Sequence, residues 1–378
     1  MFDPDKKLFS STKHFTMKQL IINCIFALVL SISGFSQQLC VGNYWTEAQG
    51  KAHLDNVLQQ VRDKSQWEVR AQIIRQQILA GSGLTDLFKH RQDPAIRTGK
   101  VHELEGYRVT NMAIESEPGS WITGNLYEPL GQKGPFAGIL CPHGHWSDPA
   151  DYGRYRPDMQ KRCAVLCRMG AVVFAYDMVG YGDNHQAAGH EDPMAFQIQT
   201  RNSVRIVDYL TSRKDVDTER IAVTGASGGG TQSFILAAID KRVAVSVPVV
   251  QVSAHFFGGC VCESGMPVHK NGSFQTNNVE IAALAAPRPM LLISDGVDWT
   301  KNTPNVEFPF IQKIYQLYGR KDRVENAHFG TEGHDYGFTK RQAAYGFLAK
   351  YLSLRADPDV LSERWVRIFT MDDLRMVE

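Results

Sequence analysis

The sequence predicts an α/β chain: a mostly parallel sheet of about eight strands with helices on both faces, preceded by a helical segment. Two observations lead there. Short apolar runs bounded by Gly and Pro alternate with longer stretches of helical period from about residue 100 onward. Several runs, such as 171–176 (AVVFAY) and 290–294 (MLLIS), are almost wholly apolar, as strands buried on both faces of a parallel sheet must be.

Taken in order, residues 1–36 read as an N-terminal extension followed by a signal peptide that starts at Met17. Lys18 precedes the apolar stretch LIINCIFALVLSISGF, and Gly34 and Ser36 supply the small residues for cleavage after Ser36. The stretch falls short of the ~20 residues a membrane span needs, so an exported protein, periplasmic or secreted, is expected, with no lasting membrane anchor. Residues 37–100 form a second segment, helical and packed on the main domain, because Leu54, Val57 and Val61, then Ile73, Ile74 and Ile78, recur at helical spacing. Residues 101–378 form the third. Its strands are expected at 107–113, 121–127, 137–141, 171–176, 220–224, 243–250, 290–294 and 324–329, and its helices at 155–169, 195–210, 231–239 and 306–317.

The 378 residues carry 41 basic and 40 acidic side chains, a formal charge of +1. Nucleic-acid binding needs a basic field that this balance does not supply. Hydrophobic residues make up 43% and charged residues 21%, which is ordinary globular composition. Six cysteines lie beyond the apolar leader: Cys40, Cys141, Cys163, Cys167, Cys260 and Cys262. On a strand, Cys260 and Cys262 would point to opposite faces, so packing or bridging to distant cysteines is expected rather than a metal or redox pair.

Open parallel sheets keep their chemistry at the carboxyl ends of the strands. After 220–224 comes Gly225-Ala226-Ser227-Gly228-Gly229, which fits GxSxG, a strained strand-to-helix turn that exposes a nucleophilic serine. A serine hydroxyl needs a base, and the base needs an orienting carboxylate. After 290–294 comes DGVDWT, where Asp298 is the expected acid and Asp295 the alternative, its other role being to cap its own turn. After 324–329 comes GTEGHDYG, where His334 is the expected base, while His328 lies inside the strand and is expected to pack. The loop after 137–141 reads PHGHW. The backbone N–H groups of Gly228 and His145 are the expected oxyanion donors. His143 and His145 at HxH spacing have no further ligand at motif spacing, so neither a metal nor another cofactor is expected. Trp146, Tyr181 and Trp299 are candidate faces for stacking a sugar ring, and Asp177 is expected to pin its loop.

The order Ser227, Asp298, His334 is that of the α/β-hydrolases. The segment 206–232 resembles the α/β-hydrolase esterases grouped with bacterial acetylxylan esterases and cephalosporin deacetylases, as do WITGNLYEP, CPHGHW, FAYDMVGYGD, APRPMLLISDGVDWT and EGHDYG. The resemblance spans about residues 100 to 350. It implies an α/β-hydrolase fold and ester hydrolysis through an acyl-enzyme on Ser227, with a carbohydrate ester as substrate. The chain differs from those deacetylases in its N-terminal helical segment and in an insertion at 258–278. Two alternatives are a peptidase related to the prolyl oligopeptidases, which the lack of a propeller-length segment disfavours, and a binding protein on a hydrolase scaffold.

Overall fold

The structure is a computed structural model that describes residues 40–89, 93–145 and 153–376; the expected signal peptide and Trp146 lie outside them. Two helices come first, α1 (Glu47–Gln60) and α2 (Lys64–Gly81). Thr46 starts α1 with a reciprocal cap: its hydroxyl accepts the Gln49 N–H, and the Gln49 side chain accepts the Thr46 N–H. On α2, Trp67, Ala71, Ile74 and Ile78 repeat every three or four residues, and all four are buried.

Four strands follow: β1 (Ile96–Leu104), β2 (Tyr107–Glu117), β3 (Ser120–Pro129) and β4 (Phe136–Pro142). Next come α3 (Pro157–Arg168), β5 (Ala171–Tyr176), α4 (Ala195–Ser212), β6 (Val216–Ala226), α5 (Gly228–Ile239) and β7 (Val243–Val249). A short helix α6 (Val261–Ser264), a hairpin of β8 (Lys270–Asn271) and β9 (Phe274–Gln275), and α7 (Asn278–Ala283) occupy the expected insertion and its edge. The domain closes with β10 (Met290–Asp295), α8 (Glu307–Leu317), β11 (Val324–Phe329) and α9 (Phe338–Leu352).

Nine strands form one sheet in the order β1-β2-β3-β5-β4-β6-β7-β10-β11. This sheet holds one more strand than the sequence predicted. β1 alternates polar and weakly apolar residues, is largely exposed, and is recognisable only through its pairing with β2. It also runs across position 100, the expected segment boundary. The first three strands pair antiparallel, and β5, β4, β6, β7, β10 and β11 run parallel.

Along each parallel strand, neighbouring side chains enter different cores. Leu140, Phe174, Val223 and Leu292 join the core under α2, α4, α5 and α8. Ile139, Val173, Ala222 and Leu291 join the core under α3 and α9. Register then aligns the carboxyl ends: Pro142 faces Tyr176, Ala226 faces Val249, and Asp295 faces Phe329. Every loop that the sequence marked for chemistry leaves the sheet along this edge.

Candidate active site

Ser227 sits between β6 and α5 with φ 55° and ψ −123°, a conformation that side chains bearing a Cβ rarely adopt. Neighbouring strands hold it there: its N–H donates to Val249 O at 3.1 Å, and Val250 N–H donates to Ile293 O at 2.7 Å. Val250, expected to end its strand, instead turns to φ 47°. The glycines of the motif have a steric reason. A Cβ on Gly225 or on Gly229 would lie 2.5 Å from Pro142 O, so only a bare backbone lets the turn approach β4 this closely.

The expected acid and the expected base meet directly. His334 Nδ1 lies 2.6 Å from Asp298 Oδ2, with the Asp298 side chain 5% exposed and that of His334 25%. An ionised carboxylate at that distance places the ring proton on Nδ1 and leaves Nε2 free to accept one. The second oxygen, Asp298 Oδ1, accepts the backbone N–H and the hydroxyl of Thr300, both at 2.6 Å. Asp295 lies one turn away and builds the platform: its Oδ1 accepts the N–H groups of Val297 and Asp298 at 3.0 Å. His328 stands on β11 and contacts Ser294 Oγ at 2.9 Å, away from this pair.

One supporting residue left no mark in the sequence. Lys340, on α9, is completely buried and reaches Asp295 Oδ2 at 3.2 Å, Asp335 Oδ1 at 2.9 Å and the carbonyl of Gly333. A single ammonium group therefore ties the loop carrying Asp298 to the loop carrying His334. An unpaired lysine in a helical run reads as surface, so only the fold reveals it.

On the other side of Ser227, the His143 ring donates from Nδ1 to Gly144 O at 2.8 Å and accepts the Met178 N–H at Nε2, 3.0 Å. Burial lowers its pKa to about 3, so it is a neutral structural hinge. His145 follows, and its ring covers Gly228: a Cβ there would lie 2.3 Å from His145 Cε1. Burial, then the nearby His190, lowers the His145 pKa to about 4. Tyr181 is 8% exposed and packs against His143, His145 and His190 at centroid distances of 5.3, 5.7 and 5.2 Å, so it backs the histidines rather than offering a face. Trp299 stacks on Phe256 at 3.8 Å and tilts against His334 at 4.6 Å. Asp177 pins its loop, pairing with buried Arg154 at 2.9 Å and accepting the Asp183 N–H at 3.0 Å.

The cysteines depart from expectation. Cys260 and Cys262 are bonded to each other, and Cys40, Cys141, Cys163 and Cys167 are free and buried. The expectation assumed a strand, whereas the segment enters the helical turn α6, which brings the two Cα atoms to 5.4 Å, within disulfide range. His145 Nε2 lies 3.0 Å from Cys262 Sγ and 3.9 Å from Cys260 Sγ. Beside the bridge, Glu263 is fully buried. It accepts the Gly259 N–H at 2.5 Å and Gln251 Nε2 at 3.1 Å, and burial pushes its carboxyl up to about 7.

The N-terminal segment and the insertion interlock to form a wall of this site. Gly42 N–H donates to Gly258 O at 2.6 Å, Phe257 N–H donates to Gly42 O at 2.9 Å, and Tyr44 stacks on Phe257 at 5.5 Å. Phe256, in the same loop, carries the stack with Trp299.

A strand-to-helix serine turn at the carboxyl edge of a parallel sheet, followed in chain order by a paired aspartate and histidine, defines an α/β-hydrolase of the serine-esterase class. Comparison with known proteins narrows this. The chain is 40% identical to the solved methylesterase BT1017, with a TM-score of 0.81 over 87% of this chain and 73% of that one. It belongs to the family of that methylesterase and is a carboxylic ester hydrolase. A family model described as "Glucuronyl esterase, fungi" matches residues 181–260. "Putative hydrolase YtaP" of Bacillus subtilis is 25% identical over 298 residues, 69% of this chain and 94% of its own length. A 4-O-methyl-glucuronoyl methylesterase of Neurospora crassa is 24% identical over 185 residues, 40% and 46% of the two chains.

Proposed function

We propose that this esterase hydrolyses the methyl ester of a uronic-acid unit in a carbohydrate, through an acyl-enzyme on Ser227. The observation that carries the mechanism is the 2.6 Å Asp298–His334 pair, presented on the same sheet edge as the Ser227 turn. His334 Nε2 takes the hydroxyl proton as Ser227 attacks the ester carbonyl, then returns it to the leaving alcohol. Asp298 holds the ring and balances the charge it gains. The N–H groups of Gly228 and His145 receive the charge on the carbonyl oxygen. Water then repeats the sequence and releases the acid.

For the alcohol, the names of the methylesterase relatives favour methanol over the acetyl esters suggested by the sequence resemblance. In a methyl uronate the sugar is on the acyl side, and the Phe256–Trp299 stack beside His334 offers an apolar face to it. The leader at 17–36 supports export to the periplasm or beyond, where such carbohydrates are met. Purified mature chain incubated with methyl-esterified polyuronate and with acetylated xylan distinguishes the esters. Methanol released at least tenfold faster than acetate is expected, and the reverse ranking overturns the substrate. Export is checked by N-terminal sequencing of the processed protein, expected to begin at Gln37.

A further inference from the structure

The proposed hydrolysis assigns no step to the disulfide beside the oxyanion position, yet Cys262 Sγ lies 3.0 Å from the imidazole that covers Gly228. We propose that Cys260, Cys262 and His145 form, once the bridge is reduced, a binding site for a thiophilic cation such as Zn2+, and that its occupation switches the esterase off. The inhibitory half rests on the Ser227 reading; the binding half does not.

The three ligand atoms, His145 Nε2 and the two sulfurs, lie within 4.8 Å of one another. A tetrahedral zinc with bonds of ~2.3 Å to sulfur and ~2.1 Å to nitrogen sets N···S edges of roughly 3.6 Å. The present separations of 3.0 and 3.9 Å bracket that edge, so the N···S distances need small adjustments and the sulfur pair must spread. Both cysteines lie at the start of one short helical turn, where a side-chain rotation separates them without moving the sheet. The fourth position stays open, as in sites that keep an exchangeable ligand.

The chemistry balances with an external dithiol as reductant. Cys260 is the partly exposed partner and Cys262 the buried one, so a reductant thiolate attacks Cys260 Sγ and Cys262 leaves as a thiolate beside His145. The second thiol of the reductant resolves the mixed disulfide, two electrons pass to the bridge, and two cysteine thiols result. Zinc then displaces one proton from each thiol. Because the His145 ring lies on Gly228, an ion on its Nε2 fixes the ring there and places charge and bulk next to the N–H that should face the oxyanion.

The test uses the whole mature chain, treated with dithiothreitol, desalted without oxygen and titrated with zinc. One zinc per chain with at least micromolar affinity is expected in the reduced protein and none in the oxidised one. Hydrolysis of p-nitrophenyl acetate should fall at least tenfold on binding and return with a chelator. Cys260→Ser/Cys262→Ser should bind none while keeping the four other cysteines, which controls for zinc elsewhere, and His145→Ala should bind at least tenfold more weakly. Equal binding by the double serine variant, no zinc in the reduced chain, or bound zinc with unchanged activity would each overturn the proposal. If even the oxidised chain lacks esterase activity, the Ser227 reading fails, and the zinc count still decides the site.

Discussion

Two sides of the site are held in different ways. The side carrying Asp298 and His334 is fixed by polar bonds that reach buried Lys340 on α9 from the carboxyl ends of two adjacent strands. The neighbouring wall is fixed by backbone bonds and ring stacking between residues 42–45 and 256–258. The contrast teaches that acid–base geometry here depends on a few charges, whereas the shape of the cleft depends on contacts between distant parts of the chain. Damage to one should therefore change rate, and damage to the other should change selectivity.

The sharpest break in that comparison is Ser227→Ala, expected to lower kcat for an aryl ester by a factor on the order of 10^4 or more, with the melting temperature little changed. Asp298→Asn comes next, at roughly 10^2 to 10^4 in kcat, because the amide favours the wrong ring tautomer. Asp295→Asn separates the two aspartates: it leaves buried Lys340 short of a counter-charge and should cost about 3–5 kcal/mol of stability in urea unfolding. An equal or larger kcat loss with intact stability in Asp295→Asn would reverse their roles. On the wall, Phe256→Ala should raise KM for a polymeric ester about tenfold while kcat for p-nitrophenyl acetate stays within about threefold. A uniform loss on both substrates would abolish the proposed division.

A pH-dependent effect concerns Glu307, buried beneath the same wall and accepting the Ala254 N–H at 3.1 Å. Burial raises its pKa to about 7. Below pH 4.5 both folded and unfolded chains hold this proton. Between 4.5 and 7 only the folded chain holds it, so stability falls as pH rises, by roughly 3 kcal/mol at most. Glu307→Gln keeps a hydrogen-bond acceptor and should therefore gain in melting temperature over the parent at pH 8 relative to pH 4. A constant difference across that range would contradict the raised pKa.

Much of the Ser227 turn and of the first side was legible in the sequence because the signals are short: GASGG and DGVD each follow an apolar strand, and EGHD follows the mixed strand VENAHF. The choice between Asp295 and Asp298 could be framed from spacing alone, and the structure assigns each a distinct set of partners. The wall was not legible, since Asn43 pairs with Phe256 across more than two hundred residues and no local period announces it. The Cys260–Cys262 bond was hidden by a wrong local assumption, that the segment is extended. Lys340 was hidden because burial of a lysine is a property of its partners and leaves no pattern around it.

The clasp between residues 42–45 and 256–258 also bears on the order in which the molecule can be completed. Residues 42–45 find their distant backbone partners only when residues 255–258 have been made. If export threads the chain from its N-terminus, this stretch waits unpaired across the membrane while most of the sheet arrives. The wall thus joins an early segment to one made much later, and a fusion placed close to Cys40 would be felt at the substrate wall before it was felt in the core.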